Sequence, residues 1–157
     1  ENAHLSHSPN SLVNILMQKR LKVIVADDSP FNVNMISSFL KKAGSQVIGT
    51  ADNGYDAYMK YKESREAGIS IDLITLDIDM PKMDGKVACQ KIRQFEREKK
   101  LSPTVIFFIS GNYNEKQVND YLDSHRERRA DFFLKKPLLF EELCSACFRF
   151  TCQENEC

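Results

Sequence analysis

The 157-residue chain has no excess of charge of either sign, because 22 Lys and Arg residues balance 22 Asp and Glu residues. Proteins that bind nucleic acids or membrane surfaces usually carry a basic excess, so the balance counts against both roles. A long apolar run is also missing. The longest strongly apolar stretch, residues 104–109, is far too short to cross a bilayer. We therefore expect no nucleic-acid contact and no membrane contact within this chain.

The sequence also lacks the marks of secretion and of repetition. No basic segment precedes an apolar segment near the start, so no signal peptide is predicted. No internal repeat and no low-complexity segment is visible. The first residue is Glu1 rather than Met, so we expect a piece of a longer chain, whose targeting and possible membrane anchor the sequence does not reveal.

The five cysteines are an odd number, and a chain of this length can bury a core without disulfide bonds. Four of them crowd the C-terminus: Cys144, Cys147, Cys152 and Cys157. Zinc binding by Cys144 and Cys147 is an alternative, but the spacing is not repeated and no His lies nearby. We favour a helix with Cys147 on its buried side and reduced thiols throughout, which indicates a cytoplasmic setting.

The pattern divides the chain into a linker, one domain and a tail: residues 1–19, 20–151 and 152–157. Serine, asparagine and proline interrupt any early pattern in the linker. Within it, Leu12, Ile15 and Leu16 have the spacing of one helical turn, which would dock onto or connect to a preceding domain.

Within the domain, short apolar runs alternate with longer amphipathic stretches. The runs predict strands at residues 21–26, 46–50, 72–76, 104–109 and 131–134. The stretches that follow predict helices, whose starts are marked by Ser29-Pro30, Asn53-Gly54, Asp84-Gly85, Asn114 and Pro137. This alternation predicts an α/β fold of (βα)5 type. We expect a doubly wound, flavodoxin-like, five-stranded parallel sheet with strand order 2-1-3-4-5.

Ligands of such sheets bind outside the carboxyl ends of the strands, where the strand order reverses. The polar residues at these ends are Asp27, Asp28, Asp77, Ser110 and Lys136. Two carboxylates about 4 Å apart repel by about 4 kcal/mol at an effective dielectric near 20, so three of them favour a bound cation.

Oxygen ligands and an open pocket suit Mg²⁺. We predict that Asp28 and Asp77 ligate it directly and that Asp27 acts through a metal-bound water or just outside the ligand shell. The backbone carbonyl of Asp79 would supply a further ligand.

Asp77 is the candidate nucleophile, because a buried strand fixes it and a loop leaves it open. A carboxylate that attacks a phosphoryl group needs in-line positioning and charge neutralisation. Mg²⁺ and the Lys136 ammonium would neutralise charge, and the Ser110 hydroxyl would bond a phosphoryl oxygen. Gly111 leaves room beside the pocket for a donor.

Four segments carry a resemblance: VIVADDS (23–29), LDIDMPKMDG (76–85), ISG (109–111) and FLKKP (133–137). Together they resemble the receiver domain of two-component response regulators, over about residues 20–150. The resemblance implies that Asp77 accepts a phosphoryl group from phosphohistidine and that Ser110 and Lys136 contact it. It also implies that Phe133 is the aromatic whose rotamer follows the state of the site.

Residues 28–34, DSPFNVN, resemble the receivers of hybrid histidine kinases, particularly eukaryotic ones. The resemblance implies a histidine kinase or a histidine phosphotransfer protein as partner. The switching face would be the fourth helix, fifth strand and fifth helix of the five units. A receiver is not a conventional enzyme, although it catalyses its own phosphorylation and dephosphorylation. Separately, we expect that the parent chain has kinase activity.

Three departures from the family pattern stand out. Ser110-Gly111 replaces the usual Thr-Ala, which would loosen the coupling between Ser110 and Phe133. Residues 124–130 lack the usual Gly turn and are charge-dense, as in a solvated helix end or a patch that binds a partner. Asp79 and Asn112 lie where their side chains would tune the lifetime of the phosphoryl group.

Two other interpretations remain at this point. Asp77-x-Asp79 also resembles the haloacid-dehalogenase phosphatases, but their acidic pair follows the Lys, where this chain offers only Glu141-Glu142. A receiver-like interaction module without phosphorylation is the other alternative, although such chains tend to lose an acid or the Lys.

Overall fold

The computed structural model describes residues 9–124 and 129–152. Within them lie five strands: β1 (Lys22–Ala26), β2 (Gln46–Ala51), β3 (Leu73–Leu76), β4 (Val105–Ser110) and β5 (Phe132–Lys135). The same ranges contain the helices α1 (Pro9–Lys19), α2 (Pro30–Lys42), α3 (Gly54–Glu66), α4 (Gly85–Lys99), α5 (Glu115–Ser124) and α6 (Phe140–Thr151). The five strand–helix units therefore end in α2 to α6, and α1 precedes them.

The strands form one sheet in the order β2-β1-β3-β4-β5, and every neighbouring pair is parallel. The predicted (βα)5 fold and its flavodoxin-like strand order are thus confirmed. The strand order reverses between β1 and β3. The chain first adds β2 on one side of β1 and then adds β3, β4 and β5 on the other side of β1. Parallel sheets of this kind place their ligand sites at that reversal.

Alternation along each strand divides the core into two layers. In β1, Val23 and Val25 face the side covered by α1, α2 and α6. Ile24 and Ala26 face the side covered by α3 and α4, to which α5 adds Tyr121. A strand exposes successive side chains to opposite faces, so apolar residues at consecutive positions require helices on both. This burial fixes the register that brings the carboxyl ends of the strands together.

Side chains cap the helices that surround the carboxyl edge of the sheet. Ser29, Asn53 and Asp84 each accept a hydrogen bond from the backbone N–H three residues ahead, at 3.4, 2.8 and 2.8 Å. The Asn114 side chain accepts one from Gln117 N at 2.9 Å. Each cap satisfies a backbone donor that the first helical turn leaves without a partner, which confirms four of the predicted helix starts. The last helix begins at Phe140, three residues after the predicted Pro137, and its N-cap Leu139 makes no side-chain hydrogen bond.

The helix α1 is longer than the single turn expected in the linker. It runs for 11 residues and packs against α6, and Leu16 on it is only 1% exposed. Gly44, with φ +86°, lets α1 approach, because a Cβ there would lie 2.4 Å from Met17 Cα. Short helices are marginal alone, so docking rather than intrinsic propensity stabilises α1.

The sequence analysis did not predict a buried ionic cluster, which lies at the opposite edge of the sheet. Arg93 on α4 pairs with Glu96 at 2.8 Å and with Asp131 at 2.9 Å, and it donates to the Thr104 carbonyl at 2.7 Å. Tyr61 donates to Glu96 at 2.9 Å. These ion pairs and hydrogen bonds tie α3 and α4 to the starts of β4 and β5. Every buried charge in the cluster has partners, which compensate for its burial.

On α6, Cys144 and Cys147 are 4% and 3% exposed and lie in the apolar layer shared with α1 and α2. The expected helix with Cys147 on its buried side is present. Cys157 and residues 125–128 of the charge-dense run lie outside the described residues. Among the helices that the structure describes, none has the length and apolar character needed to cross a bilayer.

Candidate functional site

The sheet's own hydrogen bonds fix the backbone of the candidate residues. Asp27 N donates to Ala51 O at 3.1 Å, and Asp77 N donates to Ala26 O at 2.9 Å. Lys136 N donates to Ser110 O at 3.1 Å. These bonds continue the strand ladders one residue past β1, β3 and β5. The side chains of Asp27, Asp77 and Lys136 are therefore presented from rigid strand ends rather than from free loops.

Three carboxylates converge at this edge. Asp27, Asp28 and Asp77 each offer an oxygen, and these oxygens all lie within 4.8 Å of one another. Asp27 and Asp77 are buried, at 1% and 6% exposure, whereas Asp28 is exposed. The group is thus closed on the side of the sheet and open to solvent at Asp28. Hard oxygen donors in an open cluster suit a divalent cation such as Mg²⁺.

Lys136 lies against two of these carboxylates. Its Nζ is 2.7 Å from Asp27 Oδ2 and 3.4 Å from Asp77 Oδ2. Burial by itself lowers the pKa of the Lys136 ammonium, but the hydrogen bond to Asp27 and the charge of Asp77 outweigh it, and the pKa is raised. Lys136 therefore stays a cation beside Asp77 at neutral pH.

One ammonium does not neutralise the site. Burial raises the pKa of the Asp77 carboxyl from 3.8 to about 6, and the negative charges of Asp27 and Asp28 add to the rise, while Lys136 opposes it. When the surroundings disfavour the ionised form of an acid, an additional cation beside it is electrostatically favourable. The site thus favours metal binding, which would return the Asp77 carboxylate to its charged form.

The Ser110 hydroxyl is a second sign of a ligand. Ser110 ends β4 and is 1% exposed, and within residues 9–124 and 129–152 its Oγ has no hydrogen-bond partner. Leaving a buried hydroxyl without a partner costs about 1–3 kcal/mol. A group that supplies an oxygen acceptor, such as a phosphoryl group, would satisfy it. A metal and a phosphoryl group, bound together, would therefore fit this hydroxyl and the charged side chains of Asp27, Asp28, Asp77 and Lys136.

Gly85 allows the loop after β3 to fold back onto the site. Its N donates to Ile78 O at 2.8 Å. A Cβ at Gly85 would lie 2.2 Å from the Asp77 carbonyl oxygen, so no other residue fits without a backbone shift. The first turn of α4 is thereby held against the backbone of Asp77.

Asp79 and Asn112 lie in the loops that follow β3 and β4, and Phe133 lies on β5. Asn112 Nδ2 donates to Asp79 Oδ2 at 2.7 Å, so the two side chains expected to tune the site are in contact. Phe133 is half-buried, and its ring packs against the Tyr113 ring at a centroid distance of 6.1 Å. Ser110 pairs with Lys135 and Phe108 with Phe133, which places Ser110 and Phe133 on the same face of β4 and β5.

Two residues near the site were missed by the sequence analysis. Tyr113 contacts Phe133, and Lys86 Nζ lies 4.8 Å from the centre of the Tyr113 ring. An aromatic residue three positions after Ser110 was the available signal for Tyr113. Lys86 had no signal, because its contact depends on how α4 packs beside the loop after β4.

The comparisons with known proteins agree with this geometry. The model of the response regulator receiver domain matches residues 23–148. The chain is 39% identical over 80 residues to chemotaxis protein CheY of Bacillus subtilis, which is 51% of this chain and 62% of that protein. It is 33% identical over 123 residues to hybrid signal transduction histidine kinase L of Dictyostelium discoideum, which is 78% of this chain but 7% of the kinase.

A solved structure is also similar. The CheY in a CheX–CheY–BeF₃–Mg²⁺ complex from Borrelia burgdorferi superimposes with a TM-score of 0.73 and 30% identity, over 85% of this chain and 90% of that one. The chain therefore belongs to the response regulator receiver domain family, as the four sequence segments predicted. This class of protein serves as the receiver in phosphorelay signalling.

The phosphatase alternative loses its support. Its downstream acids, Glu141 and Glu142, lie exposed in the first turn of α6, and the acids that join Asp77 come from the end of β1. The acidic pair Asp27-Asp28 thus precedes Asp77 in the chain, as the receiver resemblance implies.

Proposed function

We propose that this receiver accepts a phosphoryl group from a phosphohistidine onto Asp77 and changes conformation in response. One observation carries the proposal: three carboxylate oxygens lie within 4.8 Å of one another, and the Lys136 ammonium is 3.4 Å from Asp77. An excess of negative charge held by rigid strand ends is unfavourable unless a cation joins it. The arrangement therefore suits a site that fills with a metal and an anion together.

Asp28, Asp77 and the backbone carbonyl of Asp79 would hold Mg²⁺. Asp27 would act outside the direct ligands, because Oδ1 already accepts from Ser29 N at 2.9 Å and Oδ2 is paired with Lys136. When bound, Mg²⁺ supplies charge neutralisation for the acids and for phosphoryl oxygens. The Borrelia CheY complex, which contains Mg²⁺ and beryllofluoride, supports this choice.

In the transfer step, an Asp77 carboxylate oxygen attacks the phosphorus of the donor's phosphohistidine. The new P–O bond forms as the P–N bond breaks, and the imidazole leaves with the bonding electron pair and takes a proton. Lys136 balances charge on the phosphoryl oxygens, and Ser110 Oγ donates a hydrogen bond to one of them. The product is an acyl phosphate on Asp77.

The conformational response would begin at Ser110, since its hydroxyl gains a partner only in the phosphorylated state. Ser110 and Phe133 lie on the same face of adjacent strands, so movement of the Ser110 side chain would change the space available to the Phe133 ring. The Phe133 ring on β5 is half-buried. The output surface would be formed by α5, β5 and α6. To invert a 1:99 equilibrium, the phosphoryl group must favour one state by about 5.5 kcal/mol.

The donor would be a histidine kinase or a histidine phosphotransfer protein, and the parent chain would be a hybrid histidine kinase. The kinase of Dictyostelium supports this context, although the match covers a small part of it. The free, buried thiols of Cys144 and Cys147 support a cytoplasmic location.

Phosphotransfer tests the proposal. The domain, its Asp77→Asn variant and an Asp120→Asn control on exposed α5 are incubated with Mg²⁺ and a panel of phosphorylated histidine proteins. We expect labelling of the unmodified domain and of the control, and none of Asp77→Asn. Equal labelling of Asp77→Asn would mean that another residue is the acceptor.

A further inference from the structure

The loop between β3 and α4, residues 77–84, carries two of the groups proposed to hold the metal, the Asp77 carboxylate and the Asp79 carbonyl. Ile78 and Met80, on either side of Asp79, are 2% and 8% exposed, whereas Asp79 itself is exposed. Both apolar side chains belong to the core layer that α3 and α4 cover. These two anchors fix the start of the loop, and the backbone of Asp79 lies between them.

The end of the same loop contacts the first residue of α3. Gly54 N donates a hydrogen bond to Met83 O at 2.8 Å. A Cβ at Gly54 would lie 2.3 Å from Met83 O and 2.7 Å from Asp84 O, so any other residue would force the backbone to shift. Since Gly85 holds the next position of the chain against Asp77, the loop is fixed between β3 on one side and α3 on the other.

The start of α3 is itself rigid. Asn53 is fully buried, and its side-chain oxygen accepts from Asp56 N at 2.8 Å. Its Nδ2 donates to Asp52 Oδ1 at 2.6 Å and to Asp56 Oδ2 at 2.8 Å. A buried amide whose donors and acceptor are all used favours a single conformation of the turn around it. Gly54 therefore meets the loop from a fixed support.

We propose that Gly54, held in place by Asn53, is a positioning residue for the metal site. It acts through the backbone of Met83 and Asp84, which determines where the loop lies and with it the Asp79 carbonyl. Mg²⁺ demands near-ideal octahedral geometry, so a displaced carbonyl weakens its binding. The inference rests on the function proposed above, and it adds α3 to the elements that shape the site.

The test is a Mg²⁺ titration of the 157-residue chain and of its Gly54→Ala variant, followed by NMR at the carbonyl carbon of Asp79. We expect Gly54→Ala to bind Mg²⁺ at least about tenfold more weakly. At saturating Mg²⁺, its affinity for beryllofluoride should stay within about threefold, because Ser110 and Lys136 come from β4 and β5, which the substitution does not touch. A general distortion of the fold would weaken both affinities.

Asn53→Ser loosens the same support without adding a Cβ. The serine keeps an oxygen for Asp56 N and loses both donated hydrogen bonds, so we expect about threefold weaker Mg²⁺ binding. This variant decides the question if Gly54→Ala does not fold.

Two control variants separate positioning from stability. Gly49→Ala in β2 adds a Cβ whose nearest neighbour, Lys60 Cδ, lies at 3.5 Å, an ordinary contact. Leu40→Ala removes apolar atoms from the opposite core layer, so it lowers stability without touching the loop. Both should keep the Mg²⁺ affinity of the unmodified chain.

Unchanged Mg²⁺ affinity in Gly54→Ala or in Asn53→Ser would overturn the proposal. An equal loss in Leu40→Ala would overturn it too, since lower stability would then explain the effect. If the unmodified chain binds no Mg²⁺, the function proposed above fails and this inference fails with it. If Mg²⁺ binds but ignores these substitutions, only this inference fails.

Discussion

At the scale of single residues, the site is an assembly of charges that only the fold makes neighbours. Asp27 and Lys136 are 109 positions apart in the chain, yet their side chains pair at 2.7 Å. The sequence could place both at strand ends, because the strand pattern is strong and ligands bind at those ends. It could not show that Ser110 Oγ is buried without a partner among the described residues, or that the Tyr113 ring packs against Phe133. Both facts depend on how the loops pack, and loop packing leaves no periodic signal.

The raised pKa of Asp77 makes a prediction about stability. In the unfolded chain the carboxyl ionises near 3.8, and in the metal-free fold it ionises near 6, so the folded state binds more protons between these values. Stability therefore falls as pH rises through this window, and the loss persists at neutral pH. Asp77→Asn, which cannot ionise, should be about 1–3 kcal/mol more stable than the unmodified domain at pH 7 without metal.

Urea unfolding of both proteins in a chelator, from pH 4 to pH 7.5, measures this difference. The advantage of Asp77→Asn should shrink toward zero near pH 4, where the unmodified carboxyl is protonated. A difference that is constant with pH would show that Asp77 is not the strained carboxylate of the site.

At the scale of elements, the helices that surround the site begin where side chains cap them and where glycine permits close approach. The capping residues were read correctly from the sequence because a cap is a local pattern of three or four residues. The cluster of Arg93 was not, since only Glu96 is a neighbour on α4, whereas Asp131 lies 38 positions further along the chain, just before β5. The length of α1 was underestimated for the same reason, because its stability comes from α6.

Gly85→Ala tests the seating of α4 against β3. A Cβ there would meet the Asp77 carbonyl oxygen at 2.2 Å, so the backbone of Asp77 must move. We expect a loss of about 1–3 kcal/mol in unfolding free energy and at least a tenfold weaker affinity for Mg²⁺, measured by urea unfolding and by titration of the metal.

Gly49→Ala in β2 is the control for this substitution. The nearest atoms to its Cβ, Lys60 Cδ and Ile24 Cγ1, lie 3.5 and 4.0 Å away, which is ordinary van der Waals contact. Its affinity for Mg²⁺ should stay unchanged. If Gly85→Ala binds the metal as well as Gly49→Ala does, the close approach of α4 does not position the site.

At the scale of the whole molecule, the fold was predictable because two apolar layers alternate along every strand and helices separate the strands. The strand order then sets which ends meet. The sequence pattern could not predict the electrostatic balance of the site, because that balance depends on the distances between its charged groups. Three acids and one ammonium leave an excess of negative charge, so we expect the metal-free molecule to be less stable than the metal-bound one.

Mg²⁺ should therefore stabilise the whole domain. At a free concentration one hundred times its Kd, a ligand that binds only the native state adds about 2.7 kcal/mol. For a chain of this length we expect the Tm to rise by about 5–10 °C, measured by calorimetry. Asp28→Asn and Asp77→Asn should lose this rise, and Asp120→Asn on α5 should keep it. A rise that survives in Asp28→Asn would place the metal elsewhere.

The most direct test of the central claim is to find the residue that carries the phosphoryl group. The domain is incubated with Mg²⁺ and a phosphohistidine donor, the acyl phosphate is reduced with borohydride, and the peptides are mapped by mass spectrometry. The account predicts a single reduced position, Asp77, which appears only when Mg²⁺ is present. Reduction at Asp27 or Asp28, or none after exposure to every competent donor, would contradict it.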